Sequence, residues 1–203
     1  MKSKQEEPRI VPKSMKEMHP SCLSTLERIP GAGLKGRRDP ANVLGTLMHN
    51  PAILGDFLEY WVNSKLNLGL SVREQELIIL RMAVHFKCNY VWSHHVPVAV
   101  EFGITEHELE AVRQIPLSAG FESREEALLV LTDEMVQTRT LSDETWNRYR
   151  PFLSDSEMIG LIHIVSQYAL FTLTNNVMRV QLVERRMWAS SAATSSAESS
   201  REA

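Results

Sequence analysis

The chain has 203 residues, 43% of them apolar and 23% charged, with a formal net charge of -3. That is an ordinary globular composition, long enough for one domain with a sizeable core, and it excludes disorder of the whole chain. The two cysteines, Cys22 and Cys88, are too few for a disulfide-dense scaffold or a four-thiolate zinc site, and 22 basic against 25 acidic residues give no global field to collect nucleic acid or anionic lipid.

In chain order, residues 1–39 read as an N-terminal arm ending in a basic loop. The arm lacks the apolar run of a secretory signal and carries acidic residues that transit peptides avoid, so a cytoplasmic, reducing setting is expected. The glycine and basic stretch Gly31-Ala-Gly-Leu-Lys-Gly-Arg-Arg38 is too small a cluster for a nucleic-acid site. Residues 40–187 form the predicted domain. After Trp188 the chain turns Ala/Ser-rich without apolar periodicity, so residues 188–203 are expected to be a disordered tail.

Four segments carry a Ser or Thr followed three residues later by Glu: Ser71 with Glu74, Thr105 with Glu108, Ser123 with Glu126, and Ser154 with Glu157. Each reads as a capping box opening a helix, because hydroxyl and carboxylate satisfy each other's backbone N–H groups. Helical rather than alternating periodicity follows each one. The predicted helices lie near 15–28, 50–65, 71–87, 89–102, 105–114, 123–138, 142–151 and 155–183, and no segment reads as a strand. The fold class is therefore all-α, a compact helical bundle.

One segment bears on membranes. Met158 to Met178 runs without Asp, Glu, Lys or Arg, long enough to span a bilayer. His163, Ser166, Gln167, Thr172, Thr174, Asn175 and Asn176 would each need a partner in hydrocarbon, so a buried helix of a soluble bundle is expected and no membrane partner.

The most informative stretch is 76–95. Leu77, Ile78, Ile79, Leu80, Met82, Ala83, Val84 and Phe86 leave the first helix almost no polar face, which makes Glu76, Arg81 and His85 the exceptions. A carboxylate on a buried helix is paired with a cation or poised for proton transfer. Arg81 is a candidate partner through the bundle, since a spacing of five is off-face along one helix. Cys88 and His95 are seven apart, on one face but roughly 10 Å distant along the axis. Tyr90 and Trp92 lie between them as candidate pocket walls. His94 points about 100° away from His95. His85, His94 and His95 with Glu76 raise a metal reading, but the spacing lacks the i, i+4 pair that places two imidazoles on one face, and no metal is expected.

These residues resemble the carboxymuconolactone decarboxylase family and its alkylhydroperoxidase-D-like relatives. The likeness rests on His49-Asn-Pro-Ala, on Arg73-Glu-Gln-Glu76-Leu-Ile-Ile-Leu-Arg81, on Cys88-Asn-Tyr-Val-Trp-Ser-His-His95-Val-Pro-Val-Ala and on Glu101-Phe-Gly-Ile-Thr. Val165-Ser-Gln-Tyr168 and Thr172-Leu-Thr-Asn-Asn176 resemble the last helix of longer members, so the likeness spans about residues 40–183. It implies an alkylhydroperoxidase-D-like bundle that self-associates. In the peroxidase branch it implies a relay of Glu76, Cys88 and His95, with Val91 standing where the second cysteine would be. A dithiol cycle closes on a disulfide, so its absence leaves a lone thiol needing an outside reductant or Cys22.

In the decarboxylase branch the resemblance implies cofactor-free chemistry on a small carboxylated or cyclic substrate. His95 would carry the proton, Glu76 would orient it, and Arg81 would support the charge. The catalytic expectation is therefore Glu76, Cys88 and His95, with Arg81, Tyr90 and Trp92 at the substrate pocket and no cofactor. Decarboxylase-like proton transfer is the first reading. A single-cysteine thiol peroxidase is the alternative, and a non-catalytic helical module the third.

Overall fold

The computed structural model describes residues 7–17, 19–27, 42–118 and 120–182. Every regular element among them is helical: α1 (Pro20–Glu27), α2 (Asn42–Leu47), α3 (Pro51–Asn67), α4 (Val72–His85), α5 (Asn89–Glu101), α6 (Glu106–Arg113), α7 (Ser123–Thr138), α8 (Asp143–Tyr149) and α9 (Asp155–Met178), with 3-10 turns at Met15–Glu17 and Arg150–Phe152. The all-α bundle is what the periodicity predicts. The basic loop at 31–38 and the tail at 188–203 lie outside the described residues.

Helix α4 is the axle of the bundle. From Glu74 to Ala83 all of its residues are buried, because α5, α6, α7 and α9 pack around it. Its apolar side chains divide between two cores. Ile78, Ile79 and Met82 face α9 and α7 residues such as Leu161, Ile164 and Leu131, whereas Leu77 and Leu80 join Ala99, Ile104, Val112 and Leu129.

Three of the four predicted capping boxes form: Ser71 with Glu74, Thr105 with Glu108, and Ser154 with Glu157. The fourth does not. Helix α7 begins at Ser123 itself, with Glu122 at the N-cap and no side-chain cap bond, so the Ser123 with Glu126 expectation is corrected. Two further differences concern boundaries. The six-residue α2 is too short to show a period, and α9 ends at Met178 rather than 183 because Arg179 turns left-handed with φ 53°.

Close contacts seat α9 and the arm. A Cβ at Gly160 would overlap the carbonyl of Leu68, so only glycine lets α9 pack on the α3–α4 connection. The arm crosses the far end, with Arg9 N–H donating to the carbonyl of Met178 at 2.9 Å and Lys13 N–H to that of Gly45 at 3.0 Å.

Helix α9, expected as a buried helix, is buried on one side only. Met158, Leu161, Ile164, Tyr168 and Phe171 face inward, while Ile159, Ile162, Leu170, Leu173 and Val177 stand exposed on the other side. Two of its polar residues reach neighbouring elements: Gln167 donates to the Ser64 hydroxyl, and Asn176 donates to the Phe86 carbonyl at 2.7 Å. Among the described residues no helix is long and apolar enough to cross a membrane.

Candidate active site

The site is built at the corner where α4 turns into α5. Helix α4 closes with Phe86 as its C-cap, and Lys87 follows in the left-handed region at φ 50°. The N–H of Lys87 returns to the Val84 carbonyl at 3.0 Å and that of Cys88 to the Ala83 carbonyl at 2.8 Å. These are the paired bonds of a Schellman turn, which ends one helix and aims the next back along it. Cys88 becomes the N-cap of α5, and α5 runs against α4 so that His95, nineteen residues from Glu76, comes to lie beside it.

His95 Nδ1 is 2.7 Å from Oε2 of Glu76. An ionised carboxylate only accepts, so the ring N–H donates. Glu76 is 1% exposed and His95 half-buried, which strengthens the contact relative to water. On the other side of the ring, Nε2 is 3.3 Å from the hydroxyl of Tyr168 on α9. The two rings meet edge to face, with centroids 5.3 Å apart at 81°. Burial first, and then the negative charge of Glu76, hold the Tyr168 phenol well above its ordinary value, so it stays protonated.

Three consecutive groups on three helices thus form one chain: Glu76, His95, Tyr168. Sequence reasoning supplied the first two and missed the third as a site residue. The available signal was a polar-tipped aromatic inside a charge-free helix, 73 residues from its partner.

Cys88 is buried at 1% exposure among apolar neighbours. Burial pushes its thiol up. The N–H groups of Tyr90 and Val91 at the start of α5 oppose this without closing a cap bond. Val91, where relatives of the peroxidase branch would carry a second thiol, is a buried core residue.

Arg81 is corrected as a partner of Glu76. It points to the opposite side of α4, fully buried, where Nε and Nη2 grip the two oxygens of Asp133 at 2.5 and 2.6 Å. Its Nη1 donates to the carbonyls of Val112 and Gln114 at the end of α6, each at 2.6 Å. His85 Nε2 completes the cluster at 2.7 Å from Asp133. The Asp133 carboxyl is held below its ordinary value: burial would raise it, but the hydrogen bonds from Arg81 and His85 and their charges prevail.

The remaining expected pocket residues separate. Tyr90 turns toward α2, its hydroxyl accepting the Val43 N–H at 3.3 Å, and stacks on His94 with centroids 4.2 Å apart. Trp92 lies under the guanidinium of Arg113 at 4.0 Å, a cation–π contact that ties α5 to α6. A small cavity with room for about one water, ~10 Å³, opens between α3, α4 and α9. Trp61, Lys65, Gln75, Ile79, Gln167 and Tyr168 line it, so Tyr168 joins the cavity to the Glu76–His95 pair. Among the described residues no cluster of three His, Cys, Asp or Glu side chains is placed to hold a metal ion.

Residues 52–134 match the family described as the Carboxymuconolactone decarboxylase family. That stretch contains Glu76, Cys88 and His95 but stops short of Tyr168. Among solved structures, an uncharacterised peroxidase-related protein from Ralstonia eutropha JMP134, described as an alkylhydroperoxidase AhpD core, superposes with a TM-score of 0.70 at 17% identity, covering 87% of this chain and 93% of its own. A peroxidase-related protein from Silicibacter sp. TM1040 gives 0.68 at 15% identity over 91% of this chain and 96% of its own. The debrominase Bmp8 gives 0.68 at 14% identity over 86% and 92%. At these identities the likeness is one of fold. No protein with a curated description matches the sequence.

Proposed function

From the match of residues 52–134 to the carboxymuconolactone decarboxylase family, together with the buried Glu76–His95 pair, we propose that the chain is an enzyme of that family acting by cofactor-independent proton transfer or decarboxylation. The substrate class is a small carboxylated or cyclic molecule. The 2.7 Å contact between Nδ1 and Oε2 is the observation that carries this reading. When a carboxylate leaves as CO2, the electron pair of the broken C–C bond stays on carbon and must take a proton. Nε2 takes a proton from solvent or from an acidic group of the substrate and delivers it to that carbon, and the Glu76 carboxylate stabilises the imidazolium formed in between and aims the ring.

A panel of carboxylated lactones, assayed for CO2 release, tests the proposal. His95→Ala is expected to lower turnover by about 10²–10⁴-fold. Undiminished turnover in the variant overturns it.

The thiol peroxidase reading keeps one observation in its favour, since Cys88 sits at the start of α5 where the Tyr90 and Val91 N–H groups favour a thiolate. In that chemistry the thiolate attacks the O–O bond, the alcohol leaves, and an external thiol reduces the sulfenic acid. Burial of Cys88 weighs against it. If Cys88→Ser consumes hydroperoxide as fast as the parent protein, this alternative is lost.

We propose that the chain self-associates through α9. Ile159, Ile162, Leu170, Leu173 and Val177 recur every three to eight residues on its exposed side, and no charged residue interrupts 158–178. A second copy of the chain covering this stripe would remove it from water. Light scattering across a concentration series should show an oligomer, and Leu173→Glu should shift it toward monomer.

A further inference from the structure

Tyr168 is 4% exposed, and its hydroxyl finds its partner among the described residues at His95 Nε2. A buried phenol O–H left without an acceptor loses its hydration uncompensated, and His95 Nε2 is the acceptor the described residues offer it. Nε2 can accept only if the ring proton is on Nδ1, the nitrogen that faces Glu76. The other tautomer would set the lone pair of Nδ1 against the carboxylate and strand the phenol proton. Both ends of the imidazole therefore favour one arrangement.

The phenol is itself held in place. Thr172 anchors the turn below it, its hydroxyl donating to the Tyr168 carbonyl at 2.6 Å. Phe171 packs against the ring with centroids 5.6 Å apart, and Gly160 seats the whole helix against the α3–α4 connection. Burial and the Glu76 charge keep the hydroxyl protonated, hence a donor.

We propose that Tyr168 is a positioning residue of the site, its O–H fixing the His95 imidazole as the Nδ1–H tautomer aimed at Glu76; the role rests on the Glu76–His95 pair as the proton-handling centre. Tyr168 stands outside residues 52–134, so the site is completed by α9.

The test is long-range ¹H–¹⁵N correlation of the full chain labelled at histidine, at neutral pH. In the parent protein His95 is expected as a single Nδ1–H tautomer whose Nε2 resonance shows a hydrogen-bond acceptor. Tyr168→Phe keeps the ring and removes the donor, so Nε2 should move toward the position of an unbonded imidazole nitrogen. An unmoved Nε2 resonance overturns the proposal. Phe171→Leu disturbs the same packing while keeping the hydroxyl, and an equal displacement there would reduce the effect to packing and likewise overturn it.

Should Tyr168→Phe fail to fold, 3-fluorotyrosine incorporation supplies a second arm. The more acidic phenol is expected to displace Nε2 in the opposite direction, and no displacement counts against the proposal. Where a substrate has been found, Tyr168→Phe should lower kcat about tenfold with little change in KM. The resonance does not depend on turnover. Failure of the catalytic reading would show in His95→Ala activity alone, and failure of the Tyr168 role in the spectrum alone.

Discussion

Helix α4 carries two buried polar clusters, and they differ in how fully their hydrogen-bonding capacity is used. Glu76 and Arg81 are five residues apart, about 140° around the helix axis, so they serve opposite faces. On one face Arg81 makes four hydrogen bonds, two to Asp133 and two to carbonyls of α6, close to the full capacity of a guanidinium. On the other, the Glu76 carboxylate makes one hydrogen bond among the described residues, to His95. A saturated cluster locks three helices together and has nothing left for a ligand. An unsaturated carboxylate with an imidazole beside it retains the capacity to change partners, which proton transfer requires.

Breaking the saturated side should give the largest effect. Asp133→Asn leaves the fully buried Arg81 without its counter-charge, for an expected loss of about 3–5 kcal/mol of stability. Denaturant unfolding measures it, and a loss below about 1 kcal/mol would mean the cluster is not the structural anchor described here. Acid should act through the same group. The folded-state Asp133 titrates below its usual value, so its contribution is fully present above about pH 4 and is lost as pH falls through the lower folded value. The Asn variant should have a flatter stability profile in that acid range.

The unsaturated side predicts the reverse balance. Glu76→Gln preserves shape and removes the charge, so stability should hold or rise, while turnover on any identified substrate falls about 10²-fold or more. If the variant loses stability as Asp133→Asn does, the two clusters are alike and the contrast is broken.

Much of this organisation was legible beforehand. The helices announced themselves through hydroxyl-to-glutamate spacings, because a capping box is a local device whose two parts lie within four residues. Burial of α4 was legible for the same reason, and so were Glu76 and His95 as exceptions within it. What could not be read were partners distant in the chain: Asp133 lies 52 residues from Arg81, and Tyr168 lies 73 from His95. Their meeting depends on how α7 and α9 pack on α4, a tertiary fact. The pairing of Arg81 with Glu76 was expected through the bundle, yet helix geometry alone sends the two side chains apart.

The capping contrast offers a smaller test. Ser154 and Ser123 carry the same spacing to Glu157 and Glu126, yet Ser154 caps α9 and Ser123 is already inside α7. Ser154→Ala should therefore cost about 0.5–2 kcal/mol, whereas Ser123→Ala should be close to neutral. Equal losses would remove the distinction between the two helix starts.

The smallest effect belongs to the corner that brings His95 to Glu76. Two Schellman turns frame α5: Lys87 is the left-handed residue before it and Gly103 the one after, with φ 50° and 83°. The second uses the residue such a turn favours. The first holds a side chain in a region that costs a non-glycine residue about 1–2 kcal/mol. Part of that cost returns in the unfolded state, where glycine gains freedom worth about 0.5–1 kcal/mol. Lys87→Gly should thus raise stability by about 0.5–1 kcal/mol, and Gly103→Ala should lower it by at least as much. A Lys87→Gly variant that is less stable would show that the lysine side chain contributes a compensating contact at the turn. A more stable variant with reduced turnover would show that the turn's stiffness positions Cys88 and, two turns further along the same face, His95.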